Sequence, residues 1–586
     1  MRLSVSKSKN SKSYYAIKST YEDGKHSSKI VEKLGTLEEL RARLNLATEE
    51  EVVAWAKEYI SKLTLLEKEN NREVLVKLSS SKRIIHGEQR SYNGGYLFLQ
   101  KIYEQLGLPK ACATITQRHK FTFDLNSILS RLVYGRVIFP SSKLSTYKLS
   151  GRFIQKPNFE LAHIYRALEV IYKESDFLQA ELYKNSLKIA ERNTGALYFD
   201  LTNFFFEIEQ ADDENELRQY GKSKENRPNP IVQMGLFMDG SGIPLAFSIE
   251  RGNKNEQQTL KPLEKKIIKD FELSKFVVCT DAGLSSEDNR KFNSKEGRAF
   301  VTVQSIKKLK AHLKEWALDP IGWKISGEDE EDSKVYNLTS LSILEENDSE
   351  AYEKLKAKIF FKERWINENG FEQRLIVTFS LKYRDYQRKI RDGQLERAKK
   401  TIEKGISKLK KVNQNDYKRF IKKTSVTTDG EVATKDLYYI DDSLIKKEAL
   451  FDGFYGVCTN LEDSINEIIN INSKRWEIEE SFRIMKKEFK ARPVHLSLDD
   501  RITAHFTTCF IALMIFRLLE KKLQGSFTAD EIIATLRDFN FCKIAGEGYV
   551  PTYTRTDLTD SLHEAFDFRT DFEIVTHSQM KRVFSR

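Results

Sequence analysis

The sequence predicts a multidomain α/β protein. A mixed sheet flanked by helices forms its core, a largely β insertion interrupts that core, and helical regions stand at both ends. Three observations carry this prediction. From residue 195 the chain reads β-β-β-α-β-α-β, with apolar runs at 196–206, 231–238, 244–250, 276–280 and 299–303 and a helix pattern at 259–271. Between 306 and 458 the alternation gives way to strand patterns at 335–343, 358–365, 373–381 and 437–458. Helical periodicity fills 88–192 and returns at 463.

In chain order, residues 1–80 open with alternation over 13–34 around Asp23-Gly24, a hairpin turn signal. A helix is expected over 37–46, and Thr48 with Glu51 forms a capping-box pattern for another. This small basic region suits a DNA-binding module or a packing arm equally. Residues 88–192 form a helical domain, with breaks at Leu106-Gly-Leu-Pro109, Pro140 and Pro157, that suits DNA binding or packing. Residues 195–305 carry the first part of the core. Their first three strands lie close enough to pair antiparallel, and the next two follow crossovers suited to parallel addition, which is an RNase H-like order. The insertion, 306–458, includes an acidic run, Glu328–Asp332, read as a solvated loop. The second part of the core, 463–540, starts at a capping box, Ser464 with Glu467, opening a long helix to about Phe489. Helices at 499–523 and 528–539 follow, and the tail 541–586 is mixed.

Composition narrows the function. With 586 residues a single core is not expected. Lysine and arginine number 97 against 86 acids, a net +11. Residues 382–423 hold 16 basic and 5 acidic side chains, a surplus as large as that of the whole chain. Such a stripe suits phosphate neutralisation, with a solvated helix as the plainer reading. The five cysteines form no Cys-x-x-Cys pair and the nine histidines do not cluster, which argues against zinc and against a disulfide scaffold. No Gly-x-x-x-x-Gly-Lys-Ser/Thr occurs, so a nucleotide cofactor is not expected. The N-terminus turns polar at once, and Phe506–Leu519 is too short to span a bilayer and reads as a buried helix. A reducing cytoplasm and no membrane are expected.

Three acids stand out. Asp200 lies in Leu-Tyr-Phe-Asp-Leu-Thr-Asn (197–203), and Asp281 ends Val-Val-Cys-Thr-Asp (277–281). Glu479 lies in Asn-Ser-Lys-Arg-Trp-Glu-Ile-Glu-Glu-Ser-Phe-Arg-Ile-Met-Lys (472–486). The strands of Asp200 and Asp281 are neighbours in the expected sheet, so both carboxylates can share a pocket. Hard oxygen ligands of this kind can hold two Mg²⁺ ions for phosphodiester chemistry. On the long helix, Ile478, Phe482, Met485 and Phe489 form the core-facing stripe. Arg475, Glu479 and Lys486 form a second stripe turned by roughly 80°. Alone, Arg475 and Glu479 would be a surface ion pair; with two aspartates upstream, Glu479 reads as a third acid, and Arg475 and Lys486 can hold the phosphates of a strand lying across the site.

These residues resemble the DDE transposases of bacterial insertion sequences, in the group with a Tyr-x-x-Arg-x-x-x-Glu-x-x-x-x-x-x-Lys signature. The resemblance runs from about 195 to 490, with looser similarity at the N-terminal hairpin and at Arg492-Pro-Val-His followed by a helix bearing His505. It implies Asp200, Asp281 and Glu479 as catalytic metal ligands for two Mg²⁺ ions, with Mn²⁺ as substitute. Arg475, Lys486, Asn472 and Arg483 would face DNA. Asn472 stands where the signature has Tyr, so that residue's contact is not reproduced. The resemblance further implies binding to terminal inverted repeats and target DNA, a homodimer on DNA, and a bacterial, nucleoid-associated setting. Two other readings use the same residues: an RNase H-like nuclease without strand transfer, and an inactive transposase-derived DNA-binding protein.

Overall fold

The computed structural model describes all residues except 9–10, 23–24, 71–72, 77, 328–333, 342–348, 407–414, 427–431 and 586. The expected Asp23-Gly24 turn and the whole acidic run Glu328–Asp332 therefore lie outside the described residues, as does part of the basic stretch 382–423. Two units are resolved. One comprises Met1–Ser91, Phe541–Thr552 and Thr570–Arg586, and the other Tyr92–Asn540 and Tyr553–Arg569.

In the smaller unit, β1 (Arg2–Lys7), β2 (Lys12–Glu22) and β3 (Lys25–Thr36) form an antiparallel meander. Helices α1 (Leu37–Leu44) and α2 (Glu49–Asn70) join it in a core around Tyr14, Ala16, Leu40, Val52 and Ala56. Both helices start at reciprocal caps. Thr36 pairs with Glu39, and Thr48 Oγ1 accepts from Glu51 N while Glu51 accepts from Thr48 N.

A three-residue strand, β4 (Ser91–Asn93), precedes six helices: α3 (Tyr96–Gln105), α4 (Leu108–Arg118), α5 (Leu125–Ile138), α6 (Lys143–Ser150), α7 (Leu161–Lys173) and α8 (Ser175–Ser186). The core elements follow as β5 (Ala196–Phe205), β6 (Ile231–Asp239), β7 (Pro244–Arg251), α9 (Leu260–Asp270), β8 (Val277–Thr280), α10 (Glu287–Phe292) and β9 (Ala299–Val303). Five expected strands and the intervening helix thus fall where the apolar runs put them. β5 and β6 are apolar almost throughout because both faces of the sheet are covered. β7, β6 and β5 are antiparallel neighbours, and β5, β8 and β9 are parallel ones.

Residues 306–458 are of mixed character rather than largely β. They hold α11 (Ala311–Leu318), β10 (Lys324–Ile325), α12 (Ser349–Lys356), β11 (Phe360–Glu368), β12 (Phe371–Phe379), the 23-residue α13 (Leu381–Glu403), β13 (Ile421–Val426), β14 (Val432–Ile440), α14 (Asp442–Ala449) and the start of β15 (Phe454–Thr459). The expected strand over 437–458 is split because Asp441 caps Leu444 N and starts α14. Around 335–343, Asn337 Oδ1 accepts from Thr339 N and turns the chain. Four of these strands extend the core sheet to nine, in the order β10-β11-β12-β15-β9-β8-β5-β6-β7, while β13 and β14 pair separately.

The expected long helix is interrupted. α15 (Ile465–Ser473) begins at the Ser464–Glu467 capping box. Tyr198 Oη then donates to Ile471 O at 2.8 Å, taking the carbonyl that Arg475 N would use, and Arg475 N turns to Asn472 O. α16 (Trp476–Arg483) resumes, followed by a π-turn over Ile484–Glu488 in which Phe489 N bonds Ile484 O. Ile478, Phe482, Met485 and Phe489 are all buried, as the periodicity requires.

α17 (Asp499–Lys522) has the length and apolarity to cross a membrane, longer than the fourteen-residue stretch read from sequence. Its apolar window is 94% buried, so it is a core helix. It packs on α3, α5, α7 and β7, which brings the helices of 92–192 into the same unit as the sheet. The cause is a helix that is apolar on every face and needs cover on every side. α18 (Ala529–Asp538) completes the elements that matter here.

Phe510 is fully buried on α17, with its ring 5.0 Å from that of Phe247. Phe510→Ala is expected to cost about 3–5 kcal/mol, read from the denaturant midpoint. A destabilisation below about 1 kcal/mol would contradict the place given to this helix.

Candidate active site

The site grows from one strand pairing. β5 runs parallel to β8 with Ala196 beside Val277 and Tyr198 beside Cys279, an offset of 81 residues. Asp200 and Asp281 are separated by the same 81 positions. Continuing the register two residues beyond its last pair, one residue past the end of β8, sets the two aspartates side by side, about 4.8 Å apart in backbone terms. The carboxylate at 281 is fixed by a turn: its Oδ1 accepts from Gly283 N at 3.0 Å and from Leu284 N at 3.1 Å. A Cβ at 283 would sit 3.3 Å from that oxygen, so a glycine suits the tight turn. Among the described residues no donor reaches its Oδ2.

Asp200 as a residue is only partly buried, but its carboxylate is packed among protein atoms. Burial, opposed by Lys224 and reinforced by the charge of Asp281, pushes it up to about 6. Three cations from three segments face it. Arg475, at the N-terminus of α16, feels the fields of Tyr455, Cys279, Asp281 and Asp200, and its Nη1 lies 3.5 Å from Tyr455 Oη. Lys486, in the π-turn, donates to Thr202 Oγ1, two residues along β5 from Asp200. Burial and the neighbouring Lys224 push its ammonium down to about 8, with Asp200 acting the other way. Lys224 itself donates to Leu201 O from the loop between β5 and β6.

The structure thus gathers Asp200, Asp281, Arg475 and Lys486. Glu479 stands exposed one turn after Arg475, on the helix face bounded by Arg475 and Lys486, and forms no hydrogen bond or ion pair among the described residues. Asn472 is half-buried at the end of α15, and its Oδ1 has no partner among the described residues. Arg483 is not brought to the aspartates: it forks onto Glu480 at 2.6 and 2.7 Å. Lys224 and Tyr455 escaped sequence reasoning. Lys224 sits in an aperiodic loop, where only the basic run Lys222-Ser-Lys224 gives a signal, and Tyr455 reaches Arg475 from β15.

Tyr455 also borders a cleft of about 490 Å³ shared with Tyr383, Tyr386, Ile390 and Arg391 of α13. The basic stretch therefore adjoins Tyr455, the hydrogen-bond partner of Arg475. Part of its charge is used internally: Arg391 pairs with Asp452 at 2.6 Å and Arg419 with Glu448 at 2.9 Å. Arg388, Lys389, Lys399 and Lys400 are exposed.

The raised value of Asp200 has a stability consequence. Its ordinary value is 3.8 and its folded value about 6, so the ionised form opposes folding. The stability this group contributes is present below the unfolded value and disappears as pH rises through the folded one. In metal-free buffer, Asp200→Asn is expected to melt above the wild type at pH 7.5, with the gain shrinking toward pH 4. Melting curves at both pH values check this, and an Asn variant no more stable at pH 7.5 would contradict it.

Comparison with known proteins bears on the family of the chain. The family model described as Transposase DDE domain matches residues 205–515, more than half of the chain. The match includes Asp281 and Glu479 and begins just after Asp200. No curated protein matches. Among solved structures, a piggyBac transposase synaptic complex with hairpin DNA is 9% identical, covers 85% of this chain and 87% of its own, and gives a TM-score of 0.32. A Mos1 transposase paired-end complex with the left transposon end is 10% identical, covers 40% and 64%, and gives 0.13. Both likenesses are weak, and the family match carries the assignment. The chain belongs to the transposase DDE-domain family and is a DNA transposase, an enzyme that cleaves DNA and transfers its strands.

Proposed function

We propose that Asp200, Asp281 and Glu479 form the catalytic triad of this transposase, and that the chain binds the terminal inverted repeats of an insertion sequence and joins the cut ends to target DNA. The observation that carries this reading is the register match of Asp200 and Asp281 beside Arg475 and Lys486. The strand order β7-β6-β5-β8-β9 supports reading this part of the sheet as an RNase H-like core, with 306–458 as the insertion.

The residues fit divalent cations. Two hard carboxylates share one pocket, and burial, reinforced by the charge of Asp281, holds the Asp200 carboxyl above its ordinary range despite the nearby Lys224 and Arg475, a cost that a bound divalent cation would offset. Bound there, Mg²⁺, or Mn²⁺ in its place, would activate the attacking oxygen and neutralise the leaving one. Glu479 would close the cluster from α16. The protein's own part is to hold the strand. Arg475 can fork onto one phosphate, Lys486 and Lys224 can add point charges on the other side of Asp200, and Asn472 can offer its amide where Tyr stands in the signature. Tyr455 would orient Arg475. The exposed cations of α13 would track the DNA backbone away from the cut. Joining two ends calls for two copies of the chain on DNA, in the bacterial cytoplasm at the nucleoid.

Asp200→Asn, Asp281→Asn and Glu479→Gln should each abolish cleavage of an end-bearing duplex while leaving DNA binding nearly intact. Near-normal cleavage by any one removes that residue from the triad. Arg475→Ala and Lys486→Ala should slow cleavage strongly with little change in melting temperature, the larger effect falling on Arg475. Unaltered rates in both would remove the clamp.

A separate outcome concerns α13. Replacing Arg388, Lys389, Lys399 and Lys400 by Ala should weaken binding to DNA of any sequence and flatten the salt dependence by about 0.9 for each phosphate no longer neutralised. A salt titration with an unchanged slope returns these residues to a solvated helix face.

A further inference from the structure

The larger unit holds a second cationic site that the acids do not use. A pocket of about 260 Å³ opens between the start of α6, the segment following the π-turn, and α17. That is several times the ~30 Å³ share of one water. Arg136, Lys143 and His505 form its inner wall and are 5%, 6% and 5% exposed, while Lys490 and His495 are exposed at its mouth beside Arg492.

The inner wall is short of acceptors. Arg136 Nη1 donates to Phe489 O at 3.1 Å and Lys490 O at 3.4 Å, and its Nη2 lies 3.5 Å from His505 Nδ1. Lys143 Nζ lies 3.5 Å from the same ring nitrogen. With Nδ1 accepting, the ring proton belongs on Nε2, which faces Ala491 O at 3.4 Å. Two buried cations therefore share one neutral imidazole nitrogen. Arg136 Nε has no partner among the described residues. Nor does any carboxylate among them pair with Arg136 or Lys143, and Arg492 is balanced by Glu225. Burial, then the charge of Arg136, push the Lys143 ammonium down to about 7. Burial and these two cations hold His505 well below the ordinary imidazole range.

Buried charges in proteins are paired or they neutralise. A group with several acceptor oxygens and negative charge would satisfy Arg136 Nε and Lys143 Nζ together. Ser142, Lys143 and Leu144 line the pocket at the N-terminal end of α6, which adds the positive pole of the helix. We propose that this pocket binds a phosphate group through Arg136 and Lys143, with Lys490 and His495 at its entrance. Two sources share that chemistry: a backbone phosphate of bound DNA, and free phosphate. The first has a geometric basis. Val494 N bonds Phe205 O, so the pocket lies beyond the end of the strand that carries Asp200. Five residues of strand, roughly 16 Å, separate Asp200 from Phe205. The pocket's chemistry does not depend on the acids being catalytic.

The test uses the full chain and two readouts, neither of which involves strand cleavage. Inorganic phosphate is titrated calorimetrically against a chloride control at matched ionic strength, and duplex DNA binding is measured across a salt series. Lys143→Met keeps the side-chain volume and removes the charge. It is expected either to lower the slope of DNA binding by about 0.9, which assigns a DNA phosphate, or to weaken inorganic phosphate at least tenfold with the DNA slope unchanged, which assigns the free ion. A variant that changes neither overturns the proposal. Should Lys143→Met fail to fold, Lys490→Gln at the exposed mouth must still weaken the bound probe several-fold, and no change there overturns the proposal equally.

Discussion

Everything at the acidic site depends on the register of β5 against β8. A parallel pair with both faces buried does not slide, because a one-residue slip would turn each apolar side chain to the wrong face. On one side of β5, Leu197, Phe199 and Leu201 enter the cluster with α9. On the other, Tyr198 is tied to Ile471 O, Thr202 to Lys486, and Phe204 packs on Phe506. The same packing that fixes the strand sets Asp200 beside Asp281. The electrostatic cost of that arrangement shows in the raised Asp200 carboxyl and in the cations drawn around it.

Those cations arrive from separate parts of the chain, and each is held by a local device. Arg475 stands at a break that exists because Tyr198 takes its carbonyl partner. Lys486 stands in a π-turn, where one extra residue per turn changes the direction of the side chain. Lys224 rides a loop held by Asn203, whose amide bonds Lys222 O while its Oδ1 accepts from Lys224 N. Below them α17, apolar on every face, ties the strand layer to the helices of 92–192.

Much of this was legible in the residues. Strands of continuous apolar character and a spacing of 81 between two aspartates announced the core, and the stripe Ile478, Phe482, Met485 and Phe489 announced the buried face of the Glu479 helix. What was not legible was non-local. Nothing near Arg475 says that a tyrosine far upstream, Tyr198, interrupts its helix. Nothing in Phe360–Glu368 and Phe371–Phe379 says that they extend the core sheet instead of forming a sheet of their own. Arg483 has the composition of a DNA contact, yet Glu480 occupies it. Lys143 and His505 sit 362 positions apart, and only the fold puts them in one pocket.

Manganese binding tests the central claim most directly, because it reads the paired aspartates without requiring DNA ends or cleavage. Paramagnetic titration of the full chain with Mn²⁺ should show saturable binding that disappears in Asp200→Asn and in Asp281→Asn and persists in Glu287→Gln, an exposed acid engaged by Lys291 and Asn369. Equal binding by the wild type and both aspartate variants would contradict the account.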